Sequence, residues 1–401
     1  MVKNRTIFTG DNLPIMRGMA DETVDLIYLD PPFNSNKYYE APIGSKAEGA
    51  SFKDVWRLTD TDLAWWGEIA DVQPKLYTVI EAIGAAGGGS NMSYSIYMAT
   101  RLLEMHRILK NTGSIYYHCD PTMSHSVKLM MDTIFGGNSF RNEIVWCYTG
   151  PGSPGMRQFN RKHDIILWYS KGAKWAFNSD DVRIPYKGGK PHVGGYGMDK
   201  DDVEEYGKKG KVPETWWEMR IAPRSTKEYT GYPTQKPLEL LRRIVRASSN
   251  EGDMVLDPFC GCATACVAAE DEGREWIGID VSELAFNIVK ERLHKPREEG
   301  GIGSLFANAV IHLDKPPKDK NVKRSRDIKH TLYGQQEGKC NGCLMHFQFR
   351  NLEVDHIIPA SKGGSEDDSN KQLLCGACNR KKGPNDMPYL VAQLRREGLR
   401  Q

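Results

Sequence analysis

The sequence contains no apolar run that approaches the roughly 20 residues needed to cross a bilayer. Its first residues, Met1 to Thr6, lack the apolar core of a secretory signal peptide. It also has little excess of charge, because 54 lysines and arginines face 52 acidic residues, for a formal net charge of +2. We therefore expect a cytoplasmic protein without membrane spans. Nucleic-acid binding cannot be argued from bulk charge, so any basic surface must be local.

The sequence shows no internal repeat, and most of its nine cysteines are scattered. In a reducing compartment, scattered cysteines are expected to be free thiols rather than a disulfide framework. They are Cys119, Cys147, Cys260, Cys262 and Cys266. The length of 401 residues exceeds what one compact domain usually holds, so two or more units are expected.

Strand-like apolar runs alternate with helical spacing along much of the chain. The run Val24–Leu29 stops abruptly before a proline pair, as a buried parallel strand would. Further strands are predicted at 114–118, 144–146, 165–169 and 254–256, and helices at 95–110, 124–135 and after 237. This alternation predicts an α/β fold with a parallel-dominated, Rossmann-like sheet and helices on both of its faces.

The tetrapeptide Asp30-Pro31-Pro32-Phe33 is the sharpest local feature. Two prolines end the strand and stiffen the backbone, which fixes a carboxylate, a carbonyl and an aromatic ring at the mouth of the sheet. The two oxygens can accept hydrogen bonds from an amino group on a planar ring, and the aromatic residue can stack on that ring. A base in a duplex would have to be flipped out to reach such a site. An ordinary Asp-Pro turn explains the tetrapeptide equally well.

A strand-loop-helix segment runs through Asp257-Pro258-Phe259-Cys260-Gly261, and Asp280 ends a second predicted strand about twenty residues later. This arrangement is typical of nucleoside-binding units, in which the second acid takes the ribose hydroxyls. Because the loop lacks the full G-x-G-x-x-G pattern, it favours a single adenosine-containing ligand over a dinucleotide. An ordinary βαβ turn is the alternative.

A third segment, Pro233-Thr234-Gln235-Lys236-Pro237, places polar side chains between prolines just before a predicted helix. Alone it looks like any helix that begins with proline. Together and in this order, the three segments resemble the beta-class amino-methyltransferases of DNA over residues 6–295. Gly10-Asp11-Asn12 also fits that family.

This resemblance implies S-adenosylmethionine as the methyl donor and Asp30, Pro31, Pro32 and Phe33 as the catalytic motif. The residues implied in cofactor binding, with the ribose candidate last, are Asp11, Thr234, Gln235, Lys236, Asp257, Pro258, Phe259, Cys260, Gly261 and Asp280. One position departs from the family, which more often has glycine in place of Ala263. The extra methyl group would crowd the methionine part of the cofactor or merely adjust the turn.

The resemblance also implies double-stranded DNA as the partner. An initial aspartate in the catalytic tetrapeptide is the family pattern associated with adenine. We therefore expect transfer to the 6-amino group of adenine, with the 4-amino group of cytosine as the alternative. A homodimer and a prokaryotic or phage setting are both compatible with the family.

Two C-x-x-C pairs, Cys340/Cys343 and Cys375/Cys378, lie near the end of the sequence. Four thiolates at this spacing predict a structural zinc site, which would let a short tail fold without a large core. The segment around them, residues 332–386, resembles the ββα-metal module of HNH endonucleases.

By that resemblance, His356 matches the general base that activates water, and Asn370 matches the residue that braces its loop. Asp355 and Asn379 match the ligands of a divalent cation, for which Mg²⁺ is expected. The basic residues 380–382 suit phosphate contact. The final ligand position is Asn379 rather than histidine, so DNA cleavage and DNA binding without cleavage both stay open.

The predicted organisation is a methyltransferase domain at 1–311, a basic linker at 312–330 and an HNH-type zinc module at 331–389. The first domain contains a partly mobile insertion over the active-site face, a target-recognition region and a cofactor-binding half, at 36–93, 150–232 and 233–295 respectively. His118-Cys119-Asp120, at the end of a strand, is interpreted as ordinary loop.

Three functions compete at this point. The first is a DNA modification enzyme whose tail assists DNA binding, and the second is a bifunctional restriction-modification protein that methylates and cuts. The third is a DNA-binding regulator without catalysis, against which the intact Asp30-Pro31-Pro32-Phe33 argues. RNA is the less favoured substrate, because the order of the motifs and the nuclease-type tail both favour DNA.

Overall fold

The computed structural model describes most of the chain, namely residues 2–42, 45, 47–48, 51–57, 63–149, 157, 159–187, 200–221, 226, 228–294, 310–318 and 327–400. Parts of the predicted insertion, recognition region, cofactor-binding half and linker lie outside the described residues. The chain divides into two compact units. We call Met1–Val55 with Leu102–Val322 the sheet unit, and Trp56–Arg101 with Lys323–Gln401 the cysteine unit.

The described residues form thirteen strands and eleven α-helices. The strands are β1 (Thr6–Thr9), β2 (Val24–Leu29), β3 (Lys37–Glu40), β4 (Ser51–Asp54), β5 (Leu109–Cys119), β6 (Phe140–Cys147), β7 (His163–Ser170), β8 (Trp216–Glu218), β9 (Met254–Asp257), β10 (Glu275–Asp280), β11 (Ile311–Leu313), β12 (Leu352–His356) and β13 (Lys371–Cys375). The helices are α1 (Asn12–Gly18), α2 (Leu63–Val72), α3 (Pro74–Ile108), α4 (Ser124–Phe135), α5 (Lys200–Lys209), α6 (Leu238–Ser248), α7 (Thr264–Asp271), α8 (Glu283–His294), α9 (Ile328–Gln335), α10 (Gly376–Lys382) and α11 (Met387–Arg396). None of the helices in this part of the chain is long and apolar enough to cross a membrane.

Nine of the described strands form one sheet in the order β11-β1-β10-β9-β2-β5-β7-β6-β8. β2 lies between β9 and β5 and is parallel to both, and β10 and β1 continue the parallel part. β7 is antiparallel to both of its neighbours. The predicted α/β fold with a parallel-dominated sheet is therefore confirmed, and its mixed part begins at β7.

The centre of this sheet is buried, and residues 26–29 of β2 are all buried. Such a strand is apolar on both faces, as expected for a parallel sheet covered by helices. The carboxyl ends of parallel strands meet at one edge of the sheet. This edge therefore collects the acids that follow or end β1, β2, β9 and β10, which are Asp11, Asp30, Asp257 and Asp280.

The stretch Gly84–Gly89 of the predicted insertion is helical and belongs to α3. The helix is kinked at Gly88, whose φ of 82° lies outside the helical region and is accessible to glycine without strain. The helix predicted at 95–110 is the last part of α3. It ends at Ile108 because Leu109 already pairs with β2.

In the cysteine unit, β12 and β13 pair antiparallel and α10 follows β13 directly. α2 approaches α9 closely because both helices carry glycine at the contact. A Cβ at Gly67 would lie 2.2 Å from the carbonyl oxygen of His330, and one at Gly334 would lie 2.1 Å from that of Leu63. Part of the predicted insertion thus packs within one unit against the C-terminal segment.

Candidate active site and candidate zinc centre

Asp30 follows β2 at the carboxyl edge of the sheet, and its two carboxylate oxygens have different surroundings. Oδ2 accepts a hydrogen bond of 2.6 Å from Nζ of Lys236, and both side chains are largely buried, with exposures of 17% and 8%. Oδ1 is buried and has no hydrogen-bond partner among the described residues. Leaving a buried acceptor unsatisfied costs about 1–3 kcal/mol. The geometry therefore suits a ligand that donates a hydrogen bond to Oδ1.

Lys236 reaches Asp30 from a braced loop. Gln235 holds this loop, because its Oε1 accepts hydrogen bonds from the backbone and hydroxyl groups of Thr230 and its Nε2 donates to the carbonyl of Glu228. Thr234 adopts a left-handed φ of 61° that turns the chain. The residues predicted to bind cofactor thus divide, since Gln235 stabilises the loop itself and Lys236 contacts the predicted catalytic carboxylate.

Asp54, at the end of β4, is a residue that the sequence did not single out. Its carboxylate accepts hydrogen bonds from the backbone N–H groups of Phe33, Asn34 and Ser35, at 3.1, 2.7 and 2.8 Å. The side chain is 1% exposed. The loop after the proline pair is therefore tied to the β3–β4 hairpin.

His118, interpreted from the sequence as ordinary loop, lies fully buried in β5 behind Phe33. The two rings stack with centroids 5.9 Å apart. The histidine ring nitrogens lie 2.9 Å from the hydroxyl of Tyr28 and 3.0 Å from the carboxylate of Asp164. Burial raises the pKa of Asp164, but the hydrogen bonds from His118 and Tyr148, together with the nearby charge of Lys236, hold that pKa below its usual value. His118 therefore supports the aromatic side of the site.

The predicted cofactor residues meet at the same edge of the sheet. Asp280 accepts hydrogen bonds of 2.8 Å from the backbone N–H groups of Gly261 and Ser282, one on each carboxylate oxygen. Each oxygen keeps a lone pair for a ligand hydroxyl. Burial raises the pKa values of Asp280 and Asp257 above the usual range for aspartate. Asp11 caps α1 by accepting from the N–H group of Leu13.

The glycine loop itself leaves no room for larger side chains. A Cβ at Gly261, which has a φ of +49°, would lie 2.8 Å from the ring of Tyr232. Ala263 is fully buried and also left-handed, with a φ of 53°. This conformation explains why glycine suits position 263, since an L-residue there costs roughly 1–2 kcal/mol. The carboxylate oxygens of Asp280, which can accept from ribose hydroxyls, and the tight loop fit an adenosine-containing cofactor.

The four paired cysteines form the predicted metal centre. The Sγ atoms of Cys340, Cys343, Cys375 and Cys378 all lie within 4.8 Å of one another. In a tetrahedral zinc site with Zn–S bonds of about 2.3 Å, the sulfur atoms are also separated from one another by less than this limit. Burial, together with the neighbouring Cys340 and Cys375, raises the pKa of the Cys378 thiol, and a bound cation would offset both effects. The residues present therefore fit a structural zinc ion.

His356 and Asn370 lie together at the end of the β12–β13 pair where the connecting loop, residues 357–370, joins the two strands. Asn370 accepts from the N–H group of Ile358 at 2.9 Å and donates to the carbonyls of Ile358 and Ser365. It therefore ties down the loop that follows His356. Nε2 of His356 lies 3.3 Å from Glu366 but lacks the alignment of a hydrogen bond.

Asp355 and Asn379 do not present an open divalent-cation site as they lie. Oδ2 of Asp355 is 3.0 Å from Nζ of Lys382, whose side chain is 1% exposed, and also accepts from Nε2 of Gln372 at 3.1 Å. Asn379 donates through Nδ2 to Glu353 at 2.6 Å. A buried ammonium group thus neutralises the acid predicted to bind Mg²⁺, and that role stays a prediction.

Comparisons with known proteins match two different segments of the chain. A family model described as DNA methylase matches residues 24–291, and one described as HNH endonuclease matches residues 340–385. The chain is 29% identical to the DNA adenine methyltransferase YhdJ of Escherichia coli (strain K12), over 80% of this chain and 92% of that protein. It is 27% identical to the type II methyltransferase M.BglII of Bacillus subtilis, over 75% and 72%.

A solved structure is also similar in part. The PvuII DNA methyltransferase, described as cytosine-N4-specific, aligns with a TM-score of 0.44 and 13% identity, over 78% of this chain and 96% of that one. The DNA methylase model covers well over half of the chain. The chain therefore belongs to the DNA methylase family of S-adenosylmethionine-dependent DNA methyltransferases, and it carries a C-terminal HNH domain.

Proposed function

We propose that the chain transfers a methyl group from S-adenosylmethionine to the 6-amino group of adenine in duplex DNA. The observation that carries the proposal is the buried Oδ1 of Asp30, an acceptor without a donor among the described residues. An exocyclic amino group supplies the donor that this oxygen lacks. A base can reach the oxygen only after it is flipped out of the duplex.

In this proposal, Asp30 Oδ1 and the carbonyl of Pro31 accept the two hydrogens of the amino group, and Pro32 keeps the backbone rigid. Phe33 stacks on the base with His118 supporting its other side. The nitrogen lone pair is then directed at the methyl carbon. With the donor bound, the new N–C bond would form as the C–S bond breaks, the sulfur would leave as a neutral thioether, and Asp30 would help pass the proton lost by the nitrogen to solvent. S-adenosylmethionine, when bound, supplies the electrophilic methyl group.

Lys236 holds Asp30 in place in this mechanism, because its ammonium group donates a hydrogen bond of 2.6 Å to Oδ2. Asp30 orients the amino group through Oδ1 and helps the proton leave, so no strong base is required. The rate enhancement comes mainly from alignment and from fixed charges.

We place the cofactor along the loops that follow β1, β9 and β10. Asp280 would bind the ribose hydroxyls. Each of its oxygens accepts one backbone N–H group of the loop and keeps a lone pair for a hydroxyl donor. Asp11 would lie near the adenine of the cofactor. The loop residues that would surround the methionine part and the sulfur are Asp257, Pro258, Phe259, Cys260, Gly261 and Thr234.

Adenine is favoured over cytosine by the initial aspartate of the tetrapeptide and by the name of the relative YhdJ, a DNA adenine methyltransferase. The 4-amino group of cytosine offers the same two hydrogens to Asp30 and Pro31. Product analysis therefore has to decide between the two bases.

We propose that the HNH domain binds DNA. We also propose that the protein acts as a monomer or as a homodimer. The basic residues Arg380 and Lys381 suit contact with phosphates. Cleavage with His356 as the base remains the alternative, which would make the chain a bifunctional restriction-modification protein.

The test is transfer of labelled methyl from S-adenosylmethionine to several genomic DNAs, followed by nucleoside analysis. Wild type should yield methylated adenine, Asp30→Ala should yield none, and the exposed control Glu251→Ala should match wild type. Methylated cytosine would replace the proposed base and keep the reaction. Absence of transfer from wild type on every DNA would overturn the proposal.

A further inference from the structure

The loop that carries Phe33 begins where the prolines end. Pro31 and Pro32 have no backbone N–H group, so the first donors after Asp30 belong to Phe33, Asn34 and Ser35. All three donate to one carboxylate, that of Asp54. Successive N–H groups that converge in this way form a concave anion site in the backbone.

The backbone of this loop is held in an uncommon conformation. Asn34 and Asn36 both have a left-handed φ, of 61° and 57°. Asparagine tolerates this region better than most residues, but it persists only where the surroundings enforce it. Asp54 supplies that enforcement twice, because its backbone carbonyl also accepts from the N–H group of Asn36 at 3.0 Å.

Asp54 itself is fixed by its place in the hairpin. It ends β4 opposite Lys37 of β3, and its side chain is buried. The antiparallel pairing of β3 with β4 therefore fixes the position of the Asp54 carboxylate. The same hairpin sets the path of the chain just after Phe33.

We propose that Asp54 is a positioning residue for methyl transfer. It acts through the backbone of Phe33–Ser35 and sets the ring of Phe33 against the flipped base. The Asp54 side chain is 1% exposed and already accepts three backbone N–H groups, so it acts through the loop and not by contact with the base. This inference rests on the proposed function, because it assumes that Phe33 stacks on the target base.

The decisive variant is Asp54→Asn, which keeps the size of the side chain and removes its charge. An amide group also turns an N–H donor towards the three backbone donors. We expect kcat for methyl transfer to fall by about 100-fold, the scale associated with a displacement of about 1 Å. The KM for S-adenosylmethionine should change less than twofold, because the cofactor loops follow other strands.

Two further variants make the result specific. Glu40→Gln alters an exposed acid on the same hairpin and should leave kcat unchanged. Asp54→Glu keeps the charge with one more methylene group and should recover part of the lost kcat. If Asp54→Asn fails to fold, the test compares kcat of Asp54→Glu with kcat of Glu40→Gln. We then expect the lower value in Asp54→Glu, and equal values would overturn the positioning role.

The outcomes separate this inference from the proposed function. A wild-type kcat in Asp54→Asn, with activity abolished in Asp30→Ala, would overturn the positioning role and leave the function standing. Equal losses in kcat and in cofactor affinity would show a general structural role and also overturn it. A selective loss of kcat that Asp54→Glu partly restores is the expected result.

Discussion

Each unit contains a strand-end aspartate paired with a buried lysine, and the two pairs differ in what they leave available. In the sheet unit, Lys236 engages one oxygen of Asp30 and the other oxygen is buried without a partner. In the cysteine unit, Lys382 and Gln372 share one oxygen of Asp355. The first pair leaves an acceptor for a substrate amino group, whereas the second pair neutralises an acid that a divalent cation would need.

The largest expected effect comes from removing zinc, because metal binding of about 10 kcal/mol or more is folding free energy in such sites. Cys378 and Lys382 share α10, so loss of the metal should also separate Lys382 from Asp355. Chelation, or Cys378→Ser, should therefore unfold the HNH domain. Zinc content and circular dichroism measure this change, and S-adenosylmethionine binding to the sheet unit should persist. If the zinc-free protein kept the circular dichroism spectrum of the untreated protein, the structural role of the cysteines would be contradicted.

The next effect concerns the pair in the sheet unit. Lys236→Met leaves the Asp30 carboxylate buried without its counter-charge, and breaking a buried pair lowers the free energy of unfolding by about 3–5 kcal/mol. We expect methyl transfer to be lost while cofactor affinity, measured by calorimetry, changes little. A large loss of cofactor affinity with normal kcat would instead favour Lys236 as a cofactor ligand.

The corresponding substitution in the cysteine unit should increase binding, here of a divalent cation, instead of abolishing an activity. Lys382→Met frees Asp355 of its ammonium group, so Mn²⁺ used as a probe should bind about tenfold more tightly, equivalent to about 1.4 kcal/mol. Lys381→Met, at a partly exposed lysine paired with Glu397, is the control. Titration of the full chain with Mn²⁺ measures both variants. Equal Mn²⁺ affinity in wild type and Lys382→Met would rule out competition between the lysine and the cation.

The smallest expected effect lies in the cofactor loop. Ala263→Gly removes a Cβ from a left-handed residue and should stabilise the sheet unit by roughly 1 kcal/mol. Urea denaturation without ligand measures the gain. A loss of stability would mean that packing of the buried methyl group outweighs the backbone strain.

Much of the sheet unit could be predicted because its signals are local. The run before Asp30, the helix at 124–135 and the strand before Asp257 all lie where their apolar patterns predict them. Asp54 could not be predicted, since nothing in β4 says that its carboxylate meets three N–H groups nineteen to twenty-one residues earlier. His118 was misinterpreted for a related reason, because burial of a polar strand end depends on its neighbours.

By itself, the sequence determined the chemistry at the ends of the strands: the acids after the apolar runs, the proline pair and the two cysteine pairs. These follow from residue type and spacing, which are properties of the chain alone. Only the tertiary structure decided the partners. Lys236 lies 206 residues from Asp30, and α2 packs on α9 through glycines far apart in the chain. Such pairings depend on how strands order and helices approach, and no local pattern encodes a contact between distant segments.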